Sequence, residues 1–189
     1  MILLVNKENI FNENMLKDFQ MIEYENYDEQ TKYIESETFR HFEMLRAHLS
    51  IEDIIIDIDG AYRSLETQEN LFLSFMKKYG IDYAEQIVAM PGTSEHHTGQ
   101  AIDIVINKNG KWIIENDDLL KETEVFDRIH KSLKYFGFIL RYPKGKTNET
   151  GYKYESWHFR YVGEELATKL YNNGNWITME NYFGITSQY

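Results

Sequence analysis

The chain has 189 residues, enough for one domain with a sizeable core and too few for a second independent one. It carries 31 acidic against 20 basic side chains, a net charge of −11 that repels phosphate backbones and argues against a nucleic-acid partner. Cysteine is absent, so disulfides and thiolate ligands are excluded, and any metal site must use His, Asp or Glu. No apolar run approaches the ~18 residues of a membrane helix. The opening MILLVNKENIF has too short an apolar core for a signal peptide and no basic lead, so the chain reads as unexported and cytoplasmic.

Residues 1–32 are polar and read as an irregular segment packed on the domain, with a short strand at Ile2–Val5. Phe39, Phe42, Leu45 and Leu49 recur at near-helical spacing between Glu35 and Leu49, and Ile54–Ile58 reads as a strand. Ser64 suits the N-cap of a second helix, in which Phe72, Phe75, Met76 and Tyr79 follow the i, i+3, i+4, i+7 pattern up to Gly80. Ala101–Ile106 reads as a strand with a hairpin partner at KWII after Gly110. Phe126, Ile129, Leu133 and Phe136 mark a long helix ending near Gly137. Two more strands follow at Phe138–Tyr142 and Trp157–Val162, then short helices near 164–173 and 178–183. This order predicts one α+β domain over residues 1–189, a small, mainly antiparallel sheet with helices packed on one face.

Six histidines are available. His41, His48 and His130 each stand alone in a predicted helix and read as surface or half-buried residues. His96, His97 and His158 keep company that is harder to dismiss. In the strand AIDIVI, Ile102, Ile104 and Ile106 share one face and Asp103 lies on the other. A carboxylate there is costly unless paired or metal-bound. His96 precedes Asp103 by seven residues, and Gly99 between them can bend the chain so that both reach one point. In YESWHFRYVG, Glu155 and His158 are three apart; if the strand begins near Trp157, Glu155 belongs to the turn and can swing to the side of His158. Two His and one Asp form the three-ligand set of a catalytic zinc with an open fourth position, and a further carboxylate could serve as base. The same residues also admit a salt-bridged strand Asp and a surface ion pair of Glu155 with Arg160 or Arg141.

Three ordered motifs resemble one family. Ser94-x-His96-x-x-Gly99-x-Ala101-x-Asp103 is similar to the SxHxxGxAxD motif of the zinc D,D-peptidases, and Glu155-x-Trp157-His158 to their ExWH motif. Tyr62-Arg63-Ser64 with Gln68 resembles their YRS…Q segment, and GFILRYP and HFRYVG resemble flanks of the VanY and VanXY types. The resemblance runs from about residue 33 to 183. It implies a hedgehog/D,D-peptidase-like fold and one Zn²⁺ per chain bound by His96, Asp103 and His158. It also implies Glu155 as general base and then acid, Arg63 as oxyanion donor, and Ser94, Gln68 and Trp157 as substrate contacts. The ligand register falls on His96; His97 is then a neighbour on a solvated loop, able to touch substrate or the surroundings of Asp103. The usual glycine before Tyr-Arg is Ala61 here, which would be strained if that position needed a positive φ.

The function implied is hydrolysis of the terminal D-Ala-D-Ala bond of peptidoglycan precursors, as carboxypeptidase, dipeptidase or both, in the setting of glycopeptide resistance. Rival readings are an L,D-endopeptidase or lysin acting on stem peptides, and a silent binding module of the same fold. Phe72 and Phe75 read as scaffold behind Arg63.

Overall fold

The computed structural model describes residues 3–185. Strand β1 (Met21–Glu25) pairs antiparallel with β2 (Thr31–Glu35). The turn between them rests on Asn26, whose Oδ1 accepts from the backbone N–H of Asp28 (3.1 Å) and Gln30 (3.0 Å). The N-terminal segment is therefore less irregular than its polar composition suggests: Ile22 and Tyr24 alternate onto the core. The strand expected at Ile2–Val5 is not formed; Ile2 lies outside the described residues, and Leu3 and Val5 are buried without strand pairing.

Helix α1 (Ser36–Ile51) is capped by the Glu35 carboxylate, which accepts from the N–H groups of Glu37 and Thr38, and it buries Phe42, Leu45 and Leu49. Strand β3 (Ile55–Gly60) follows, then α2 (Leu65–Tyr79), capped by Ser64 as its sequence predicts. Gly80, at φ 86°, turns the chain directly into α3 (Ile81–Ile87), an element the sequence left unmarked. α2 and α3 pack on one another through Phe72, Ala84 and Val88, a small cluster apart from the main core.

Strand β4 (Ala101–Lys108) is the centre of the main sheet. It pairs along one edge with β3 and along the other with β7 (His158–Tyr161) and then with β5 (Lys111–Ile113). Helices α4 (Asn116–Leu119) and α5 (Thr123–Leu133) lead through a 3₁₀ turn to Gly137 and β6 (Phe138–Leu140), which pairs with β7. α6 (Thr147–Thr150), α7 (Glu164–Tyr171) and α8 (Met179–Tyr182) complete the chain. Every strand pairing is antiparallel. No helix among the described residues is long and apolar enough to cross a membrane.

One face of the sheet carries the core. Ile56, Ile58, Ile102, Ile104, Ile106 and Phe159 meet the buried residues of α1, α5 and α7. Each such side chain contributes roughly 1.5–3 kcal/mol by leaving water. Because strand side chains alternate, the same isoleucines turn Asp103 to the opposite face, where the α2–α3 pair and the loops leave a cleft.

Candidate active site

Asp103 of β4 and His158 of β7 are directly opposed cross-strand partners, although 55 residues apart in sequence. Opposed residues share a face of the sheet, and His158 Nδ1 lies 2.8 Å from Asp103 Oδ1. His96 arrives from a 3₁₀ turn (Glu95–Thr98) that ends at Gly99 in the left-handed region, φ 69°. A Cβ on Gly99 would lie 2.7 Å from Met21 Cε and 3.1 Å from the Glu35 backbone nitrogen, so both conformation and space demand glycine. The bend brings His96 Nε2 to 3.1 Å from Asp103 Oδ2. The other ring nitrogen, Nδ1, donates to the Ala61 carbonyl at 2.6 Å, which turns Nε2 toward the carboxylate.

The strand edge beside Asp103 is shaped to admit it. The β3–β4 register shifts by one residue between Ile58 and Gly60, a bulge that sets Gly60 opposite Asp103. A Cβ on Gly60 would lie 2.6 Å from Asp103 Oδ2. The glycine needed here is thus Gly60, for clearance; Ala61 is not among the positive-φ residues, and the strain its sequence position suggested is absent.

Arg63 extends from the following segment, with Nη2 2.9 Å from Asp103 Oδ2 and Nη1 donating to Gln68 Oε1 at 3.0 Å. Gln68 is fully buried, and its Nε2 donates to the Ala89 carbonyl at 2.7 Å. Gln68 therefore brackets Arg63 from behind and does not reach the cleft, a correction to its expected place as a substrate contact. His97 is corrected too. It is fully buried: Nδ1 donates to the Arg63 carbonyl (2.7 Å) and Nε2 accepts from the Gly92 N–H (3.0 Å), with Phe11 packed on the ring. With both nitrogens committed to backbone, His97 neither faces solvent nor supplies a fourth ligand.

Glu155 precedes β7, in the bend leading to the strand, and its Oε2 stands 3.7 Å from His158 Nδ1. Its expected ion-pair partners are engaged elsewhere. Arg141 binds Glu95 and Glu180, and Arg160 approaches Glu95. Burial, opposed by the charge of His158 and reinforced by Asp103, lifts the Glu155 carboxyl to about 7. Burial works against the charged form of Asp103, yet His96 and His158 hold it well below the usual carboxylate range. His96 is lowered to about 4 by burial and the neighbouring Arg63 charge, so its imidazole is neutral at pH 7. Burial also opposes protonation of His158, but Asp103 and Glu95 outweigh it and push the ring up to about 9.

One ligand atom from each of His96, Asp103 and His158 lies within 4.8 Å of the other two. Two imidazole nitrogens and a carboxylate oxygen converging at this range suit a divalent zinc ion and leave a coordination position free. The cleft beside them encloses about 410 Å³ and is lined by Arg63, Ser94, His96, Asp103, Glu155, Trp157 and His158, so all the expected site residues except Gln68 meet at one cavity. Phe75, expected behind Arg63, lines it as well, while Phe72 is buried between α2 and α3. Tyr142, Tyr152 and Tyr83, unmarked in the sequence, share the wall; Tyr142 stacks 4.8 Å from the His158 ring. Its signal was the flank GFILRYP, which marks a strand and not a pocket. His41 and His130 are buried and His48 is partly exposed, all three outside the cavity lining.

The chain matches the VanY family, D-alanyl-D-alanine carboxypeptidase, over residues 31–164. The bifunctional D-Ala-D-Ala dipeptidase and D-Ala-D-Ala carboxypeptidase VanXYC of Enterococcus gallinarum is 37% identical over 141 residues, 72% of this chain and 71% of that one. Other curated relatives are longer, and the chain spans 44% and 46% of two of them. Among solved structures, a mutant VanY D,D-pentapeptidase from a VanB-type resistance cassette, in complex with Zn(II), superposes with a TM-score of 0.80 at 28% identity, covering 96% of this chain and 97% of that one. The LdcB LD-carboxypeptidase superposes with a TM-score of 0.81 at 32% identity, covering 97% and 85%.

Proposed function

The chain belongs to the VanY family of D-alanyl-D-alanine carboxypeptidases, and from that premise we propose that it hydrolyses the terminal D-Ala-D-Ala bond of a peptidoglycan precursor peptide or of the free dipeptide. The observation that carries this reading is the convergence of His96, Asp103 and His158 on one point of a cleft that also holds Glu155 and Arg63. His96, Asp103 and His158 would hold one zinc ion per chain, which would supply Lewis acidity and lower the pKa of a water toward ~7. Glu155 receives the proton of the attacking water and returns it to the departing D-alanine amine. A carboxyl lifted to about 7 is poised for both transfers near neutral pH. Arg63, held by Gln68, donates to the scissile carbonyl oxygen as that oxygen gains charge; a guanidinium stays charged throughout and offers several N–H groups in a fixed fork. Ser94 and Trp157 contact the substrate from the cavity wall.

The likeness to an LD-carboxypeptidase favours a second reading, cleavage of an L,D bond in the stem peptide. A silent peptide-binding module is disfavoured, because a binder has no use for a half-buried carboxylate kept at about 7 beside two histidines. The test is a substrate panel read by mass: free D-Ala-D-Ala, a stem pentapeptide ending in D-Ala-D-Ala, a stem peptide ending in one D-Ala, and a cross-linked stem. Release of D-alanine from the first or second, abolished by a chelator and restored by zinc, is expected. Release from the third alone overturns the D,D assignment in favour of the L,D reading, and no cleavage of any member overturns both.

A further inference from the structure

The residue just before His96 is a carboxylate with no part in the chemistry above. Glu95 has a fully buried side chain, and its Oε1 accepts from Arg141 Nε at 2.8 Å with Arg160 Nη1 at 3.3 Å. Arg141 turns the rest of its guanidinium to Glu180, Nη1 to Oε2 at 2.9 Å and Nη2 to Oε1 at 2.6 Å. Glu180 also accepts from Asn6 Nδ2 at 3.0 Å. Arg160 Nη2 donates to the Leu3 carbonyl and to Gln100 Oε1. Glu95 is thereby held by two arginines, each fixed in turn by groups from other parts of the chain.

That bracing leaves Arg160 Nη1 in an ion pair without a formed hydrogen bond, and one Glu95 oxygen over. Glu95 Oε2 is buried without a hydrogen-bond partner, and so is His158 Nε2. The two atoms face each other at 3.7 Å. Buried polar atoms are rarely left unpaired, and these two are complementary, an acceptor and a ring nitrogen able to donate. The opposite ring nitrogen, Nδ1, is the one beside Asp103.

We propose that Glu95 is a positioning residue of the metal site: its Oε2 accepts the Nε2–H of His158, which fixes the tautomer whose Nδ1 lone pair points toward Asp103 and His96. The pair has to close by roughly 0.7 Å to reach hydrogen-bond length. A metal-binding imidazole typically gives its second N–H to a carboxylate or carbonyl, which orients the ring and makes it a better donor. The proposal rests on the reading of His96, Asp103 and His158 as zinc ligands. It adds that the braced carboxylate behind them sets how tightly the ion is held.

The test is zinc affinity by competition with a chromophoric chelator, in the wild type and in two variants. Glu95→Gln keeps size and removes charge, and its zinc affinity is expected to fall 10- to 100-fold. Glu180→Gln breaks the same buried network beyond Arg141 without touching His158; it is expected to lower thermal stability and leave zinc affinity within about twofold. Equal affinity for Glu95→Gln and wild type overturns the proposal, as does an equal loss in both variants, which marks a merely structural effect. Should Glu95→Gln not fold, proton NMR of the zinc-loaded wild type decides. A downfield, slowly exchanging His158 Nε2–H supports the proposal and its absence overturns it. A wild-type chain that binds no zinc overturns the underlying site reading instead, so the two failures are distinguishable.

Discussion

Two charged clusters sit within a few residues of one another in sequence and differ in almost every physical respect. Around Glu95, two arginines face two glutamates, Arg141 and Arg160 with Glu95 and Glu180, and all four side chains are at most 1% exposed. Around Asp103, two carboxylates share the site with a single guanidinium and two imidazoles, and the Asp103 and Glu155 side chains remain 18% and 17% exposed to the cleft. The first cluster balances its charge internally and is sealed. The second gathers two carboxylates, two imidazoles and one guanidinium at an open side. A balanced, sealed network resists exchange with anything outside the protein, whereas ligand atoms converging at an open cleft can take up a cation and a substrate.

The largest loss is expected on the open side, at Glu155. Glu155→Gln removes the proposed proton carrier and none of the three proposed ligands, so turnover of a D-Ala-D-Ala substrate is expected to fall about 10³-fold, about 4 kcal/mol of barrier, with zinc content unchanged. Steady-state kinetics beside metal analysis checks both halves; wild-type-like turnover would remove the residue from the mechanism. On the sealed side the loss is expected in stability. Arg141→Met strands Glu180 as a buried, uncompensated charge, leaves Glu95 to Arg160 alone, and is expected to cost about 3–5 kcal/mol in urea denaturation. A cost below about 1 kcal/mol would show that water reaches the network and that it is not sealed.

Acid weakens the fold at two buried groups, Glu95 and His130, in different pH windows. Burial opposes the charged form of Glu95, but Arg141 and Arg160 hold its carboxyl below the ordinary range. Its contribution is therefore present above the ordinary carboxylate pKa and is lost only as pH falls through its lower folded value. His130 behaves differently. Burial between Phe126 and Phe159 lowers it from 6.5 to about 4, with Nε2 donating to the Ser156 carbonyl at 2.8 Å. Between pH 6.5 and 4 the unfolded chain takes up a proton that folded His130 refuses, so stability falls as pH drops through that window, by roughly 3 kcal/mol. His130→Gln removes this increment, and the difference between the wild-type and variant stability curves should carry it. Parallel curves would mean that His130 is protonated in the fold.

The parts of this picture legible in sequence are those set by local rules. The isoleucine alternation of β4, the Ser64 cap and the bend at Gly99 each follow from residues within a few positions, and they place Asp103 and His96 on the correct side of the sheet. The β1–β2 hairpin escaped notice because its turn runs on Asn26 and Glu29 with no glycine or proline to mark it. α3 escaped because it starts directly after Gly80 and is stabilised by packing on α2. At the site, motif spacing identifies residues and not their partners. Glu95 sits inside the first motif, but its meaning depends on Arg141, 46 positions away. Gln68 and His97 look like cleft residues until their hydrogen bonds to Ala89, Arg63 and Gly92 are seen.

The smallest expected effect concerns that last residue, and it tests whether the boundary between the two clusters lies where the hydrogen bonds put it. His96 and His97 are adjacent, yet His96 points its free nitrogen at Asp103 while His97 ties the Arg63 carbonyl to the Gly92 amide. His96→Ala should therefore abolish zinc binding. His97→Ala should leave it intact, cost about 1–3 kcal/mol of stability for two buried backbone groups left unpaired, and let the Arg63 segment shift. Activity should then fall by about tenfold through turnover more than through KM, because in the proposed mechanism Arg63 serves the charge that develops during reaction and not the ground state. His97→Gln, which can still offer one donor and one acceptor, should recover part of the loss. Zinc loss in His97→Ala would mean that the doublet is shared between the ligand shell and the Arg63 clamp, and that the division between sealed and open clusters runs through His97 and not beside it.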